Sequence, residues 1–85
     1  MAQVDIYTTS VCPYCIKAKR LLDAKDVDYV EHDLTGNDEG RMELLKKSNG
    51  MRTVPQIFIN GQHIGGCDNL YELEEKGELD KLLSA

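Results

Sequence analysis

The hydrophobic pattern of the chain changes its period at Cys12, and this change restricts the possible folds more than any other feature of the sequence. Before Cys12, apolar residues alternate with polar ones, which predicts a first strand over residues 3–8. After it, apolar residues recur at helical spacing over residues 13–25. Pro13 occupies the first helical position, where its missing N–H is harmless. We therefore expect a strand, a short connection and a helix that has Cys12 at its N-cap.

The remainder of the chain continues to alternate between strand and helix patterns. The further predicted elements are a strand over residues 27–34, a helix over 38–48 with Met42 and Leu45 as apolar residues, strands over 54–59 and 62–64, a third helix capped by Asp68 or Asn69, and a helical turn over 79–83. A helical crossover makes the first two strands parallel, and the turn signal Asn60-Gly61 makes the last two antiparallel. The sequence thus predicts an α/β, thioredoxin-like fold, in which a four-stranded mixed sheet is flanked by three helices in the order β-α-β-α-β-β-α, with a short C-terminal helical turn.

Length and composition predict one small domain over residues 1–85. Hydrophobic residues make up 41% of the chain and charged residues 29%, which is typical of an ordered globular protein. The net charge of −5 repels a phosphate backbone, so the composition argues against nucleic-acid binding. The N-terminus lacks a basic leader and no stretch approaches about 20 apolar residues, so we expect no membrane partner and a cytoplasmic protein, with a monomer as the simplest state.

The chain has three cysteines, whereas a secreted disulfide scaffold of this size usually carries four or more in pairs. Cys12 and Cys15 are three residues apart, so their sulfurs share one helical face and can close a disulfide after a small rotamer change. The helix N-terminus and the nearby Lys17 favour a thiolate at Cys12, which makes it the candidate nucleophile. Cys15 lies nearer the core and is the candidate resolving thiol, which attacks a mixed disulfide formed at Cys12.

Two other interpretations of these cysteines remain open. A metal or an iron-sulfur cluster could be bound through Cys12, although the further candidate ligands Cys67, His63 and His32 are single and lack the paired spacing of structural zinc sites. The chain could also be a redox-inert interaction module. We assign no chemistry to the two histidines, which we expect on strand faces or in the hairpin.

Four further features of the sequence bear on a site near Cys12. Pro55 opens a strand, and base rates favour a trans peptide bond there. The bend at Gly65-Gly66 leads into a helix N-terminus, which is either a carboxylate site or only a turn and a cap. Cys67 fits a buried small hydrophobe better than an accessible third thiol. The basic residues within 9–25 form either ordinary solvated helix faces or an electropositive rim that attracts an anionic thiol.

Separated motifs in this order and spacing resemble those of the dithiol glutaredoxins, most closely the bacterial glutaredoxin 3 type, and the resemblance covers essentially the whole chain. The motifs are Cys12-Pro13-Tyr14-Cys15, Thr53-Val54-Pro55 and Gly65-Gly66-Cys67-Asp68, together with the Pro-Gln-Ile-Phe-Ile-Asn-Gly hairpin. The first motif differs from the Cys-Gly-Pro-Cys of thioredoxin and from the Cys-Gly-Phe-Ser of monothiol glutaredoxins. The resemblance implies a glutathione-dependent oxidoreductase that reduces protein disulfides and protein-glutathione mixed disulfides.

The resemblance also implies a glutathione groove beside Cys12, with glutathione as a co-substrate and no bound cofactor, and a cis bond before Pro55. By resemblance, the backbone of Thr53 and Val54 pairs with the cysteinyl part, the turn at Gly66, Cys67 and Asp68 takes the γ-glutamyl end, and Tyr14 and Arg52 flank the glycine end. Many relatives carry a lysine where this chain has Thr9. Lys17 or Arg52 is expected to substitute for that lysine.

Overall fold

The computed structural model describes residues 2–84, which form eight regular elements around one mixed sheet. In chain order these are β1 (Val4–Thr8), α1 (Pro13–Ala24), β2 (Val30–Asp33), α2 (Asp38–Lys47), β3 (Gln56–Ile59), β4 (Gln62–Gly65), α3 (Cys67–Glu75) and α4 (Leu79–Leu83). The predicted thioredoxin-like fold is confirmed. Within the described residues, no helix is long and apolar enough to cross a membrane.

The strand order of the sheet is β2-β1-β3-β4, so β1 and β3 are its inner strands. β1 pairs with β2 in parallel and with β3 antiparallel, and β3 pairs with β4 antiparallel across the hairpin. The parallel pair requires a crossover, which α1 supplies. Since α1 begins soon after β1 ends, Cys12 lies at the carboxyl end of an inner strand, where a side chain meets both a sheet edge and a helix N-terminus.

Both faces of the sheet are covered, but unequally. The larger core cluster joins β1 and β3 to α1, α3 and α4, and its buried residues are Val4, Ile6, Ala18, Leu22, Ile57, Ile59, Cys67, Leu70, Leu79 and Leu83. A smaller cluster of Leu34, Leu44 and Phe58 lies with α2, and Tyr7 and Val54 pack against it. Residues that alternate along a strand point to opposite faces, which explains why Ile57 and Ile59 belong to one cluster and Phe58 to the other.

Three local predictions were wrong in detail. The strand expected from residue 27 starts at Val30. Val27 and Tyr29 gave the alternating pattern because they pack against the larger core cluster, and they lie outside the strand. In α2 the buried residue is Leu44, whereas Met42 is exposed. The helix expected after Asp68 or Asn69 begins at Cys67 with Gly66 as its N-cap.

The Val54-Pro55 peptide bond is cis. The trans bond expected from base rates is therefore wrong, and the cis bond implied by the family resemblance is confirmed. A base rate describes X-Pro bonds in general, and it carries no information on the contacts that surround this bond. Those contacts include Cys12, whose thiol donates to the carbonyl oxygen of Val54 at 3.6 Å.

Candidate active site

Cys12 is the N-cap of α1, as the sequence predicted. Its backbone is extended, and its Sγ accepts a hydrogen bond from the backbone N–H of Cys15 at 3.2 Å. The free N–H groups and the positive end of a helix dipole stabilise negative charge at this position. Of the two sulfurs of the motif, Cys12 is thus the one that lies at the helix N-terminus, which suits it to the role of nucleophile.

Cys15 lies in the first turn of the same helix, and only 1% of it is exposed. Burial, followed by the hydrogen bond to Cys12, raises the pKa of the Cys15 thiol to about 12. Cys15 is consequently a protonated thiol at neutral pH. The two sulfurs of the motif thus occupy different environments, one at a helix end that supports negative charge and one in the core.

Beside Cys12 lies an open groove of about 310 Å³, which we call the proline groove. Its lining residues are Tyr14, Met51, Thr53, Val54, Pro55, Gln56, Gly66, Cys67, Asp68 and Asn69. All but two of the predicted glutathione contacts are therefore brought together along one surface. Val54 connects the groove to the chemistry, because its carbonyl oxygen accepts the hydrogen bond of Cys12.

Lys17 and Arg52 are the two predicted residues that do not line the proline groove. The ammonium of Lys17 lies 4.8 Å from the centre of the Tyr71 ring, and the Tyr71 hydroxyl donates to the Lys17 carbonyl oxygen at 3.0 Å. Arg52 lines a neighbouring groove beside α2 instead. The sequence places both residues near the motif, but it does not reveal which neighbour a long side chain contacts.

Gln56 is a functional candidate that the sequence interpretation missed. It is fully buried, and its Nε2 donates to the carbonyl oxygen of Thr53 at 3.0 Å and to Thr53 Oγ1 at 3.2 Å. Its Oε1 lies 2.6 Å from Nε2 of His63. These contacts hold Thr53 in the groove wall. The sequence contained a signal for this role, since Gln56 is the one polar residue in the predicted strand over residues 54–59.

The opposite wall is the first turn of α3, which Asn69 braces from within the helix. Asn69 Oδ1 accepts a hydrogen bond from the Gly66 N–H at 3.0 Å. Gly65 precedes this turn with φ +119°, a conformation that favours glycine, and a Cβ added there would come within 2.5 Å of Asn69 Oδ1. The turn therefore favours glycine at position 65, and Asn69 stabilises it with one hydrogen bond.

Cys67 is buried at the start of α3, with 4% of its surface exposed, as its sequence context predicted. Burial raises the pKa of its thiol, although the charge of Lys17 opposes the shift. Cys67 thus forms part of the proline groove as a neutral small side chain.

Tyr14 lies at the rim of the proline groove and is 60% exposed.

Two of the basic residues expected at an electropositive rim form ion pairs instead. Lys19 pairs with Glu31 at 2.9 Å, and Lys25 pairs with Glu74 at 2.6 Å and with Asp80 at 2.9 Å. The ordinary helix-face interpretation fits these residues. Over residues 2–84, no group of three or more His, Cys, Asp or Glu side chains is arranged to hold a metal ion.

Comparisons with known proteins extend these observations. The sequence model of the glutaredoxin family matches residues 4–64. The chain is 55% identical to glutaredoxin 3 of Escherichia coli K12 over 83 residues, which covers 98% of this chain and 99% of that protein. It is 51% identical to a probable glutaredoxin of Synechocystis over 83 residues, 98% of this chain and 76% of that protein.

Solved structures agree with the sequence comparisons. A crystal structure of a buckwheat glutaredoxin-glutathione complex superposes with a TM-score of 0.89 at 34% identity, covering 98% of this chain and 77% of that one. The solution structure of a glutaredoxin from Brucella melitensis superposes with a TM-score of 0.86 at 48% identity, covering 98% and 89%.

Proposed function

Since the chain belongs to the glutaredoxin family and is a thiol-disulfide oxidoreductase, we propose that it takes its electrons from glutathione. Its proposed substrates are disulfide-containing proteins and glutathionylated proteins. Glutathione serves as a co-substrate, and no cofactor is bound. The observation that carries the proposal is the proline groove, which begins at the Val54 carbonyl beside Cys12 and ends at the first turn of α3.

The two walls of the proline groove offer the contacts that a short peptide with a free carboxylate needs. On one wall, Thr53 and Val54 present backbone groups to which an extended peptide can add in the manner of an extra strand. On the other wall, Gly66 is the N-cap of α3, the backbone N–H groups of Cys67 and Asp68 open the helix, and a helix N-terminus favours an anion. A glutathione whose sulfur lies at Cys12 would direct its γ-glutamyl carboxylate to this turn.

Within this groove we assign the glutathione contacts to the predicted residues that line it. These are Tyr14, Thr53, Val54, Pro55, Gly66, Cys67 and Asp68. Gln56 and Asn69 act indirectly, because they hold Thr53 and Gly66 in place. Lys17 is turned to Tyr71 and is left out of the assignment.

The reaction proceeds by two exchanges of thiolate and disulfide. The Cys12 thiolate attacks the glutathione sulfur of a glutathionylated protein, a bond forms between Cys12 and glutathione, and the protein thiolate leaves and takes up a proton. A second glutathione thiolate, or Cys15 after loss of its proton, then attacks. In the first case glutathione disulfide leaves and the Cys12 thiolate is regenerated. In the second the Cys12-Cys15 disulfide forms and glutathione leaves as a thiolate that takes up a proton, and two further glutathione molecules later reduce the disulfide and leave as glutathione disulfide.

The proposed setting is the cytoplasm, with the protein as a monomer. A dithiol enzyme of this kind reduces substrates only where the glutathione pool is itself kept reduced. Sedimentation equilibrium in the presence of a reducing agent tests the monomer, and subcellular fractionation tests the location.

The variants Cys12→Ser and Cys15→Ser test the roles of the two thiols. Cys12→Ser should abolish turnover of a glutathionylated protein, because the nucleophile is lost. Cys15→Ser should keep deglutathionylation, since external glutathione can replace the resolving thiol, but should lose most reduction of protein disulfides. Urea unfolding of both variants serves as the control for the removal of a buried thiol. Turnover retained in Cys12→Ser contradicts the assignment.

The source of electrons needs a separate experiment. Turnover should depend on glutathione with saturation, as expected for a bound co-substrate. A thiol of similar reactivity that lacks the γ-glutamyl group, such as N-acetylcysteine, should support much slower turnover at the same thiolate concentration. Equal rates with both thiols would contradict the glutathione groove while leaving the oxidoreductase activity intact.

A further inference from the structure

We propose that His63 is a positioning residue for the proline groove, because its ring donates the hydrogen bond that orients the Gln56 side-chain amide toward Thr53. This inference rests on the proposed use of the groove by glutathione. His63 lies in β4 and does not itself line the groove. It takes part in no chemical step, and its effect on the reaction passes through Gln56.

The wall that carries Thr53 has no regular structure of its own. Residues 48–55 connect α2 to β3, and Thr53 is exposed on this connection. Sheet pairing therefore does not fix the backbone here. Gln56 supplies a substitute, because its Nε2 donates to the carbonyl oxygen of Thr53 at 3.0 Å and to the Thr53 hydroxyl at 3.2 Å. The position of this part of the wall thus depends on the orientation of one side-chain amide.

An amide has two chemically different ends, and its surroundings decide which end faces Thr53. A carbonyl oxygen only accepts, so Gln56 must turn its NH₂ group to the Thr53 carbonyl. Its Oε1 then faces His63, whose Nε2 lies 2.6 Å away. Since Oε1 also only accepts, Nε2 of His63 must carry a hydrogen. The neutral ring with its hydrogen on Nε2 and the charged ring both satisfy this requirement.

Burial makes the His63 donor hard to replace. Gln56 is fully buried, and over residues 2–84 every buried side-chain nitrogen and oxygen has a hydrogen-bond partner. A buried oxygen that loses its donor carries the full cost of its desolvation. Without His63, rotation of the Gln56 amide toward another donor relieves this cost, but it breaks both hydrogen bonds to Thr53. The wall then loses its brace.

The sheet register brings His63 to Gln56. His63 lies opposite Phe58 in the pairing of β3 with β4, and the centres of the two rings are 5.0 Å apart. Gln56 and Phe58 are two residues apart on one strand, so they share a face of the sheet. His63 therefore meets Gln56 diagonally, at a separation that long side chains bridge. The ring contact and the hydrogen bond are separate, so each can be removed without the other.

His32 provides a matched control at the opposite edge of the same sheet. It lies in β2 opposite Tyr7, and the centres of the two rings are 4.4 Å apart. Its Nε2 lies 2.9 Å from Oδ1 of Asp5, which is again two residues along the strand from the opposing ring. Neither His32 nor Asp5 lines the proline groove. Loss of the His32 ring therefore measures the cost to the fold alone.

Three variants separate the donor from the ring. His63→Phe keeps a ring against Phe58 and removes the donor. His63→Gln keeps a donor of similar reach and removes the ring, and His32→Phe makes the first change at the control position. The substrate is the mixed disulfide of cysteine and glutathione, whose glutathione half occupies the groove when Cys12 attacks. Steady-state kinetics give KM and kcat, and urea unfolding gives the stability of each variant.

We expect His63→Phe to raise KM about fivefold, equivalent to about 1 kcal/mol, with kcat nearly unchanged because both thiols of the motif stay in place. His63→Gln should recover most of this loss, although removal of the ring lowers its stability, and His32→Phe should leave KM unchanged. An equal rise of KM in His63→Phe and His32→Phe would overturn the proposal. A His63→Gln variant as impaired as His63→Phe would also overturn it, by assigning the effect to the ring.

Nitrogen-15 NMR of the unaltered, reduced protein tests the contact without catalysis and separates this inference from the proposed function. Long-range correlations within the imidazole ring show which nitrogen carries the hydrogen, in spectra recorded above the midpoint of the His63 titration that the same series measures. A hydrogen on Nε2 supports the contact even if N-acetylcysteine proves as good a reductant as glutathione. A hydrogen on Nδ1 alone overturns it even if glutathione turnover is normal.

Discussion

Nζ of Lys19 lies 2.9 Å from Oε2 of Glu31, in an ion pair that joins α1 to β2 one helical turn beyond Cys15. The same carboxylate oxygen accepts a hydrogen bond from the buried Thr8 hydroxyl at 2.7 Å. These two donors, the Thr8 hydroxyl first, lower the pKa of Glu31. These contacts hold the Lys19 ammonium near Cys15, and its positive charge opposes the rise in the pKa of Cys15 that burial causes.

Removal of this charge should slow the step in which Cys15 acts. In Lys19→Met the pKa of Cys15 should rise further, because burial is then less opposed. Single-turnover release of glutathione from the Cys12 mixed disulfide should become severalfold slower, with its pH-rate profile shifted to higher pH. Glutathione-driven release in a Cys15→Ser background should not change.

Two control variants accompany Lys19→Met. Lys19→Arg should restore the rate of release, because it retains the positive charge. Lys76→Met removes a lysine from an exposed pair with Glu72 and should have no effect. An unchanged rate in Lys19→Met would show that Lys19 does not assist Cys15.

The three thiols should differ sharply in their reaction with iodoacetamide. Cys12 accepts a helix N-terminal hydrogen bond, whereas burial raises the pKa of both Cys15 and Cys67. In the reduced native protein at neutral pH, Cys12 should be labelled first, and the other two should be labelled only after denaturation. Peptide mapping by mass spectrometry over time provides the measurement. Labelling of Cys67 as fast as Cys12 would contradict the assignment of Cys67 as a buried packing residue.

The stability of the reduced protein should fall as pH rises above about 9, and Cys15 should cause part of this fall. The folded protein keeps the Cys15 proton up to about pH 12, whereas the unfolded chain loses it near the ordinary value of 9.0. Above that value the unfolded state binds fewer protons. The free energy of unfolding then decreases by at most about 1.4 kcal/mol per pH unit from this group.

Urea unfolding of the reduced protein and of Cys15→Ala, at pH 8 and at pH 10.5, isolates this contribution. The variant should be less stable at pH 8 because a buried side chain is truncated, but its stability should fall less steeply with pH. Tyrosine and lysine side chains also titrate in this range, but both proteins carry them. Parallel pH dependences would contradict the raised pKa of Cys15.

Much of the active site could be predicted because its determinants are local in sequence. The change of period at Cys12 and the proline that follows it define the helix N-cap within a few residues. Contacts between distant residues could not be predicted in this way. Lys17 contacts Tyr71, 54 positions away, and Gln56 contacts His63 across a hairpin. The predicted start of β2 was wrong for a related reason. An alternating pattern indicates which side chains are buried, but it does not identify the element against which they pack.

Replacement of Gly65 should damage the proline groove indirectly, through the position of Asn69 and the first turn of α3. In Gly65→Ala the new Cβ would displace Asn69, and the hydrogen bond that braces the Gly66 N–H would be lost. The positive φ adds a backbone cost of about 1–3 kcal/mol. We expect lower stability in urea together with an increased KM for glutathione, because the first turn of α3 loses its position.

Gly61→Ala is the matched control for this effect. Gly61 also has a positive φ, +80°, but a Cβ there would meet nothing within 4 Å, and the residue lies in the hairpin turn outside the proline groove. The substitution should cost about 1–2 kcal/mol of backbone strain and leave the KM for glutathione unchanged. Measurement of both quantities in both variants separates strain from displacement of the groove wall. An unchanged KM in Gly65→Ala would show that the turn does not contact glutathione.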